Sequence, residues 1–224
     1  PTIEKKQQNN INFNSKILDL FPNELIDIEN KQIPKGWEFK KLSNFCSENK
    51  KKINPSLFNN EDFEVYDIGS FDSENFPSVL NANKLKSQKS LISENMILIS
   101  KLNPETPRIW CPLSKSKHRK ISSTEFISLI PKDNYKYFLL CYLKSSRINK
   151  KLASMVTGTS KSHQRVRRDD IFDLKIISPP KKLLEFFNSE IEPIHQSIEL
   201  KLKEIQILKK LNYMILPKIM TGEF

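Results

Sequence analysis

A long amphipathic stretch follows the pair Pro179 and Pro180 and limits the folds that this chain can adopt. Two consecutive prolines cannot continue a β-ladder, so they predict the end of the preceding domain. Beyond them, apolar residues recur at the a/d positions of a heptad, and Leu202 widens the stripe. This apolar seam consists of Ile191, Ile194, Ile198, Ile205, Leu208 and Ile215. The pattern predicts one long helix, which Pro193 kinks or restarts.

A helix of this length is too long to bury its apolar seam on one small domain. Two interpretations stay open at this point. In one, the helix packs back on its own body; in the other, a partner helix lies along the seam. The second makes the seam a surface for a dimer or for another protein.

The charge of the chain is concentrated in its middle. The chain has 224 residues and a net charge of +11. Residues 36–180 contain 25 Lys and Arg against 15 Asp and Glu, a surplus of ten. Such a surplus on one domain indicates a polyanionic partner. Because no basic amphipathic helix dominates the sequence, nucleic acid is favoured over an acidic membrane surface.

Short apolar runs and helical spacings predict the class of the domain. Strands are expected at 63–68, 96–100, 108–111, 125–130 and 174–178. Helices are expected at 135–146 and 148–156, where helical spacing relates Phe138, Cys141 and Tyr142, and then Ile148, Leu152 and Met155. Gly36 predicts a turn before a strand or short helix around Trp37. The sequence therefore predicts an α+β fold with a mixed sheet, followed by a long α-helix like that of a coiled coil.

The stretch MVTGTSKSHQRVRRDDI, residues 155–171, is rich in hydrogen-bonding groups. Ser162 beside His163 lacks the arrangement of a nucleophilic triad, and Gly158 stands without the second glycine of a phosphate-binding loop. Gly158 suits the end of a helix, and Asp169 or Asp170 suits a helix cap. The remaining groups either fix the loop to the core or donate hydrogen bonds to phosphates and base edges.

The segment 101–120 is also basic, with six Lys and Arg against one Glu. Together with the 161–168 loop it is expected to form a DNA-facing surface, in which Arg suits guanine and Asn or Gln suits adenine. The candidate DNA-binding residues are Lys101, Asn103, Arg108, Lys115, Lys117, His118, Arg119, Lys161, His163, Gln164, Arg165, Arg167 and Arg168.

Five motifs in order resemble the specificity subunit of type I restriction-modification systems. They are IPKGWE (33–38), LISKLNP (98–104), ISSTEFISL (121–129), TGTSKSHQRV (157–166) and SPP (178–180). The ending LPKIMTGEF resembles the end of such subunits, and the similarity extends from about residue 15 to the end of the chain. Members of this family usually have two recognition domains and two spacer helices, whereas this chain has the pattern of one of each.

The resemblance implies a division of the chain. Residues 1–32 would be a linker or the end of a preceding spacer element, 33–178 a target recognition domain, 179–220 a spacer and dimerisation helix, and 221–224 a tail. The chain would be a natural half-subunit or the C-terminal half of a longer one. It would then be a homodimer, or pair with the other half of a longer subunit.

The resemblance also implies a function without catalysis. A specificity subunit reads double-stranded DNA, while a methyltransferase subunit methylates adenine with S-adenosylmethionine and a restriction subunit, where present, uses ATP. The chain would hold no cofactor and no metal itself. The sequence agrees, because it contains neither an NPPY-like methyltransferase motif nor a P-loop.

Two other functions stay open from the residues alone. One is another nucleic-acid-binding adaptor, for RNA or DNA, that dimerises through its helix. The other is an enzyme such as a nuclease, whose acids would come from Asp67, Asp72, Glu105 or Asp169. These acids lack a metal-binding spacing.

The cysteines and the N-terminus predict the compartment. Cys46, Cys111 and Cys141 lack CxxC spacing and are expected to be buried, reduced thiols. The start PTIEKKQQNN has no apolar signal core, and no apolar run is long enough to span a membrane. The sequence therefore predicts a cytoplasmic protein that does not enter a membrane.

Overall fold

The structure is a computed structural model that describes residues 20–28, 31–156 and 164–222. The strands in this part of the chain are β1 (Leu25–Ile28), β2 (Lys31–Pro34), β3 (Glu38–Lys41), β4 (Cys46–Glu48), β5 (Lys52–Ile53), β6 (Asp62–Tyr66), β7 (Ser78–Asn81), β8 (Lys89–Ile92), β9 (Ile97–Ser100), β10 (Ile109–Trp110), β11 (Arg119–Ser122), β12 (Phe126–Pro131) and β13 (Lys175–Ser178). The α-helices are α1 (Ile68–Glu74), α2 (Lys136–Leu143), α3 (Ser146–Ser154), α4 (Arg168–Phe172) and α5 (Lys181–Thr221).

Two larger sheets form the body of the domain. One has four antiparallel strands in the order β10-β9-β12-β4. The other has five strands in the order β5-β8-β11-β6-β7, in which β11 and β6 are parallel and the other neighbours are antiparallel. Two antiparallel pairs, β1 with β2 and β13 with β3, complete the strand pairing. The prediction of an α+β fold with a mixed sheet and a long C-terminal helix is confirmed.

Both faces of the central strands are buried, which explains why the chain has continuous apolar runs rather than alternation. On β9, Ile97 and Ile99 pack in the largest core cluster with Leu139 and Leu143 of α2. Leu98 points to the opposite face and packs with Tyr66, Trp110 and Phe126. A third cluster covers the five-stranded sheet and contains Ile53, Phe63, Val65, Ala82, Leu85 and Ile121. The domain is therefore layered, with helices on one side of the four-stranded sheet and the five-stranded sheet on the other.

The predicted strands and helices occur, but several ends differ from the prediction. The strand expected at 63–68 stops at Tyr66, because Asp67 accepts a hydrogen bond from the Ser70 amide (2.8 Å) and begins α1. The strand expected at 108–111 is reduced to the two residues of β10. The expected helix cap at Asp169 or Asp170 is wrong, because the cap position is Arg167 and both acids lie in the first turn of α4. Acidic side chains in the first turn still interact favourably with the helix dipole.

Two further expectations are corrected by helix geometry. Cys46 and Cys111 are buried, and burial raises the pKa of Cys46 to about 12, but Cys141 is exposed. Cys141 lies on the outer side of α2, because the inward face is formed by Leu139, Leu140 and Leu143. Pro193 does not restart the long helix, which runs without interruption from Lys181 to Thr221. The helix contacts the domain on both sides of that proline, through Glu192 before it and Glu199 after it.

The N-terminal segment, residues 1–32, which was expected to be a linker or the end of a preceding spacer element, falls partly outside the described residues. Its described end forms β1, which pairs with β2 in a hairpin. Gly36 has a φ of 84° in the turn that follows, and Trp37 leads into β3, so the expected turn and strand are confirmed. Among residues 20–28, 31–156 and 164–222, no helix has the length and apolar character needed to cross a membrane.

Truncation of a core leucine should destabilise the domain. Leu139 is fully buried in the cluster between α2 and the four-stranded sheet. We expect Leu139→Ala to lower the free energy of unfolding by about 2–5 kcal/mol, because it removes buried methyl groups and leaves a cavity. Urea denaturation measures this. Leu57→Ala is the control, because Leu57 is 75% exposed, and a similar loss in that variant would contradict the assignment of the core.

Candidate nucleic-acid interface

The structure brings the two basic segments of the sequence together at their ends. The backbone N–H of Asn103 donates to the Gln164 carbonyl (3.0 Å), and that of Val166 donates to the Lys101 carbonyl (3.0 Å). Leu102 and Arg165 form an isolated antiparallel bridge. We call residues 101–103 together with 164–168 the interface strip. Lys161 and His163, which were also expected in this region, lie outside the described residues.

Asn103 has two features that set it apart within the interface strip. Its φ is 48°, in the left-handed region that asparagine tolerates better than most residues. Its side-chain oxygen Oδ1 is buried and has no hydrogen-bond partner among the described residues. A buried acceptor without a partner is costly.

The three arginines of the interface strip have different surroundings. Arg165 donates to both carboxylate oxygens of Glu125 (3.1 and 3.3 Å), and Arg168 pairs with Glu48 (2.7 Å) and Asp169 (2.7 Å). These pairs are partly exposed, so each side chain can exchange its partner at little cost. Arg167 is exposed and has no ion pair among the described residues.

Arg108 is buried and makes its hydrogen bonds within the domain. Its guanidinium forms a bidentate pair with Asp72 of α1, with N–O distances of 2.6 and 2.7 Å. It also donates to the carbonyls of Thr106 (3.3 Å) and Leu102 (3.5 Å), and its side chain is 9% exposed. Hydrogen bonds from Arg108 hold the pKa of Asp72 below its ordinary value. Arg108 therefore fixes the loop to α1, and we leave it out of the proposed base readers.

Arg119 is also engaged within the domain. Its guanidinium makes a bidentate pair with Glu61 and lies 4.0 Å from the ring centroid of Phe58. The pair holds the pKa of Glu61 below its ordinary value. Because both Glu61 and the Phe58 ring hold its guanidinium in place, Arg119 is also left out of the proposed readers.

The rest of the 101–120 segment lies beside the long helix. Glu199 of α5 accepts hydrogen bonds from the Ser114 backbone N–H (2.6 Å) and hydroxyl (2.7 Å). One helical turn later, Lys203 donates to the Ser114 carbonyl (2.9 Å) and to Glu199 (2.8 Å). The neighbouring Lys115 and Lys117 are exposed and His118 is half-buried. These three candidates are therefore positioned by the helix rather than by the interface strip.

Glu199 is the buried acid of the long helix, with an exposure of 7%. Burial alone would raise its pKa, but hydrogen bonds from Lys203 and Ser114 outweigh burial and hold the pKa below the ordinary value of 4.5. Sequence reasoning did not find Glu199 or Lys203. In the sequence they are two of many charged residues on a helix. Their role becomes visible only when the fold places the Ser114 loop beside them.

The first two turns of α5 pack on the domain through the buried Leu183 and Leu184 and through Phe187, which lies beside Phe138; the contacts further along the helix are mainly polar. Glu192 accepts a hydrogen bond from the Tyr137 hydroxyl (3.4 Å), and Gln206 donates to Glu74 of α1 (2.7 Å). Glu199 lies between these two contacts. The predicted apolar seam points elsewhere: Ile191 and Leu202 are half-buried, and the exposed members are Ile194 (54%), Ile198 (53%), Ile205 (46%), Leu208 (57%) and Ile215 (46%). The helix packs on its own domain without covering its apolar seam.

Three of the four acids considered for a nuclease have structural roles. Asp67 caps α1, Asp72 pairs with Arg108, and Asp169 pairs with Arg168. Glu105 is exposed in the loop before Arg108. Carboxylates committed to arginines and helix ends in this way are explained without a metal ion.

No family model matches the chain. The MjaIX type I restriction enzyme specificity subunit of Methanocaldococcus jannaschii is 26% identical over 251 aligned positions, which cover 99% of this chain and 55% of that protein. The resemblance to type I specificity subunits is confirmed. The chain spans about half the length of the curated relative that it matches.

Solved structures show the same fold. The HsdS subunit of Thermoanaerobacter tengcongensis matches 85% of this chain and 50% of its own, with a TM-score of 0.60 and 16% identity. The S subunit of the type I restriction-modification system from M. genitalium matches 88% of this chain and 48% of its own, with a TM-score of 0.53 and 13% identity. A chain from a study of assembly of the type I R-M system matches with a TM-score of 0.59 and 19% identity, over 86% of this chain and 49% of that one.

The different roles of two arginines can be measured by substitution. We expect Arg108→Gln to lower the free energy of unfolding by about 1–3 kcal/mol, because Asp72 loses its hydrogen bonds to a charged donor. Arg167→Gln, on the exposed surface, should change stability by less than about 0.5 kcal/mol. Urea denaturation of both variants tests this, and equal effects would contradict the distinction.

The contact between Glu199 and Ser114 should weaken in acid. The pKa of Glu199 is lowered by folding, so its contribution to stability is complete above the ordinary value of 4.5 and decreases as the pH falls below it. Hydrogen exchange of the Ser114 amide should therefore lose protection below that pH. The Leu113 amide is an internal control, because its acceptor is the Tyr66 hydroxyl, whose pKa burial raises far above this range. Protection of Ser114 that does not change with pH would contradict the role of Glu199.

Proposed function

We propose that this chain is the DNA-recognition part of a type I restriction-modification complex, in which it directs adenine methylation by a partner subunit. The observation that carries the proposal is the similarity to a type I specificity subunit over 99% of the chain. The basic surplus of the recognition domain and the uncovered apolar seam of α5 support it independently. The chain itself would carry no catalytic residue, cofactor or metal.

In this proposal, residues 33–178 are the target recognition domain and the interface strip approaches the DNA. Lys101, Asn103, Gln164 and Arg167 are the residues of the strip whose side chains have donors for base edges or phosphates and no strong ion pair among the described contacts. Arg165 and Arg168 can reach phosphates by exchanging their exposed carboxylate partners. Lys115, Lys117 and His118 would contact DNA from the loop beside α5.

The proposed role of residues 179–220 is to hold a second recognition domain at a fixed distance. A helix of 41 residues has a length of roughly 60 Å. A second helix laid along the seam would cover the exposed isoleucines. That helix would come from a second copy of this chain or from the other half of a longer specificity subunit. Two copies related by a two-fold axis would read an interrupted palindrome.

The remaining partners follow from the proposed place in the complex. A methyltransferase subunit would bring S-adenosylmethionine, and a restriction subunit, where present, would bring ATP-driven cleavage. In a cell that carries the chain with its methyltransferase, methylome sequencing should return one bipartite motif that disappears when this gene is deleted. A methylome unchanged by the deletion would contradict the proposal. Preferential binding of the purified complex to RNA over the duplex target would favour the alternative of an RNA-binding adaptor.

Charged residues in the apolar seam should separate the paired helices. We expect Ile198→Asp combined with Ile205→Asp to give monomers that keep their fold, because both side chains are about half exposed, at 53% and 46%. Sedimentation at micromolar concentration measures the oligomeric state, and DNA binding should weaken because two half-sites are no longer held together.

The same helix offers a matched control on another face. Leu200 is 67% exposed and Ile207 is 61% exposed, and neither belongs to the seam. We expect Leu200→Asp combined with Ile207→Asp to leave the dimer intact. A monomeric unmodified chain, or a control variant that dissociates instead, would contradict the pairing through the seam.

A further inference from the structure

A long part of the chain contains no acidic residue. Residues 134–168 include nine Lys and Arg and neither Asp nor Glu. Helix α3 lies in the middle of this part and begins two residues after Lys144. Its outward residues Arg147, Lys150 and Lys151 are exposed and have no ion pair among the described contacts. None of them was among the DNA-binding candidates, which came from the segments 101–120 and 161–168.

The positive charges on α3 repel one another, and one of them interacts unfavourably with the helix dipole. Arg147 lies in the first turn, where the helix dipole disfavours a cation and where no acidic residue is present. It is also three and four positions before Lys150 and Lys151, a spacing at which like charges repel by about 0.2–0.5 kcal/mol per pair. A surface helix that is needed only for solubility would mix both signs. This arrangement therefore points to an anionic partner that removes the repulsion.

A basic groove runs along α3. The groove has a volume of about 530 Å³ and lies between α3 and residues of β2 and β13. The cations that line it are Lys31, Arg147, Lys150, Lys151 and Lys175. The single acid among the residues that line it is Asp173, whose carboxylate already lies 2.6 Å from the Lys41 Nζ atom. The electrostatic potential in the groove is therefore expected to be positive.

The other side of α3 borders the 101–110 loop. Lys144 and Asn149 line a shallow cavity with Pro107 and Ile109 of that loop. The loop begins with the interface strip, and the residues after α3 return to the strip at Gln164. Helix α3 therefore adjoins the loop that continues the interface strip, on a surface where the flanking backbone of a duplex bound at the strip would pass.

The apolar face of α3 decides between DNA and a membrane. A membrane-bound amphipathic helix inserts its apolar residues into lipid. Here Ile148 and Leu152 are 3% and 2% exposed and pack in the main core. The helix has no large apolar side chain to offer a bilayer, because its exposed residues are serine, arginine and lysine.

We propose that the outer face of α3 and its groove bind the phosphate backbone of DNA beside the bases that the interface strip reads. This inference rests on the proposed function as a DNA-recognition subunit. The contacts supply affinity without sequence information, since phosphates are the same at every base pair. Arg147, Lys150 and Lys151 hold the duplex in register while other residues read it.

The test is the salt dependence of binding by the chain in complex with its methyltransferase subunit. Each phosphate contact adds about 0.9 to the slope of log K against log salt concentration. We expect the triple variant Arg147→Gln, Lys150→Gln and Lys151→Gln to reduce the slope on a mixed-sequence duplex by about 2 to 3. The affinity for the duplex that contains the methylation motif and the affinity for a scrambled duplex should fall by the same factor, so the ratio of the two affinities should not change.

The matched control is Lys181→Gln, Lys182→Gln and Lys210→Gln, which removes three exposed cations from α5. Its slope should equal that of the unmodified chain. The double variant Lys150→Gln and Lys151→Gln keeps Arg147 and guards against misfolding of the triple variant. Thermal unfolding should be unchanged or slightly raised in both, since like-charge pairs are removed.

An unchanged salt slope in the triple variant overturns the inference, as does a loss confined to RNA hairpins or anionic vesicles. A fall in the target-to-scrambled ratio overturns it too, because that result makes the α3 residues readers of bases. The proposed function fails separately: an unmodified complex with equal affinity for the target and the scrambled duplex contradicts it, whatever the slope of the triple variant.

Discussion

The polar attachment of the long helix α5 sets the arrangement of the whole molecule. Glu199 and Lys203 use the N–H, hydroxyl and carbonyl of a single residue, Ser114, so the helix contacts the domain through directional bonds. The buried Leu183 and Leu184 hold the start of α5 against the domain, and these bonds fix the position and the rotation of its middle part. Because the polar side faces the domain, the isoleucines of the seam face away from it. The orientation of α5 on the proposed recognition domain and the exposure of the seam are thus two results of one contact.

Much of the fold could be predicted because its signals are local. The strand at 96–100 and the long helix after Pro180 are long, regular patterns, and both are present. Ends were less predictable, since a single capping residue such as Asp67 turns an apolar run from strand to helix. The inward face of α2 was also missed. Its sequence is apolar almost all round, so periodicity cannot distinguish Cys141 from Leu140.

The candidate site was harder to predict, because the state of a charged residue depends on distant partners. Arg108 and Arg167 look alike in the sequence. Only the fold shows that the first meets Asp72, 36 residues earlier, while the second stays exposed. The cations of α3 had a local signal, the absence of acids over 134–168, which a count over longer segments concealed. Charge is informative when it is counted over one element and its outward face.

The loop of residues 115–118 is held on both sides by contacts that do not involve its own side chains. Ser114 is bound to α5 before it, and Arg119 is paired with Glu61 after it. A short loop with fixed ends can exchange its side chains while its backbone path is retained. Position 115 has one restriction, since its φ of 50° favours Gly or Asn over β-branched residues. For protein engineering, the side chains of this loop can therefore be varied in a combinatorial library while the rest of the domain is left unchanged.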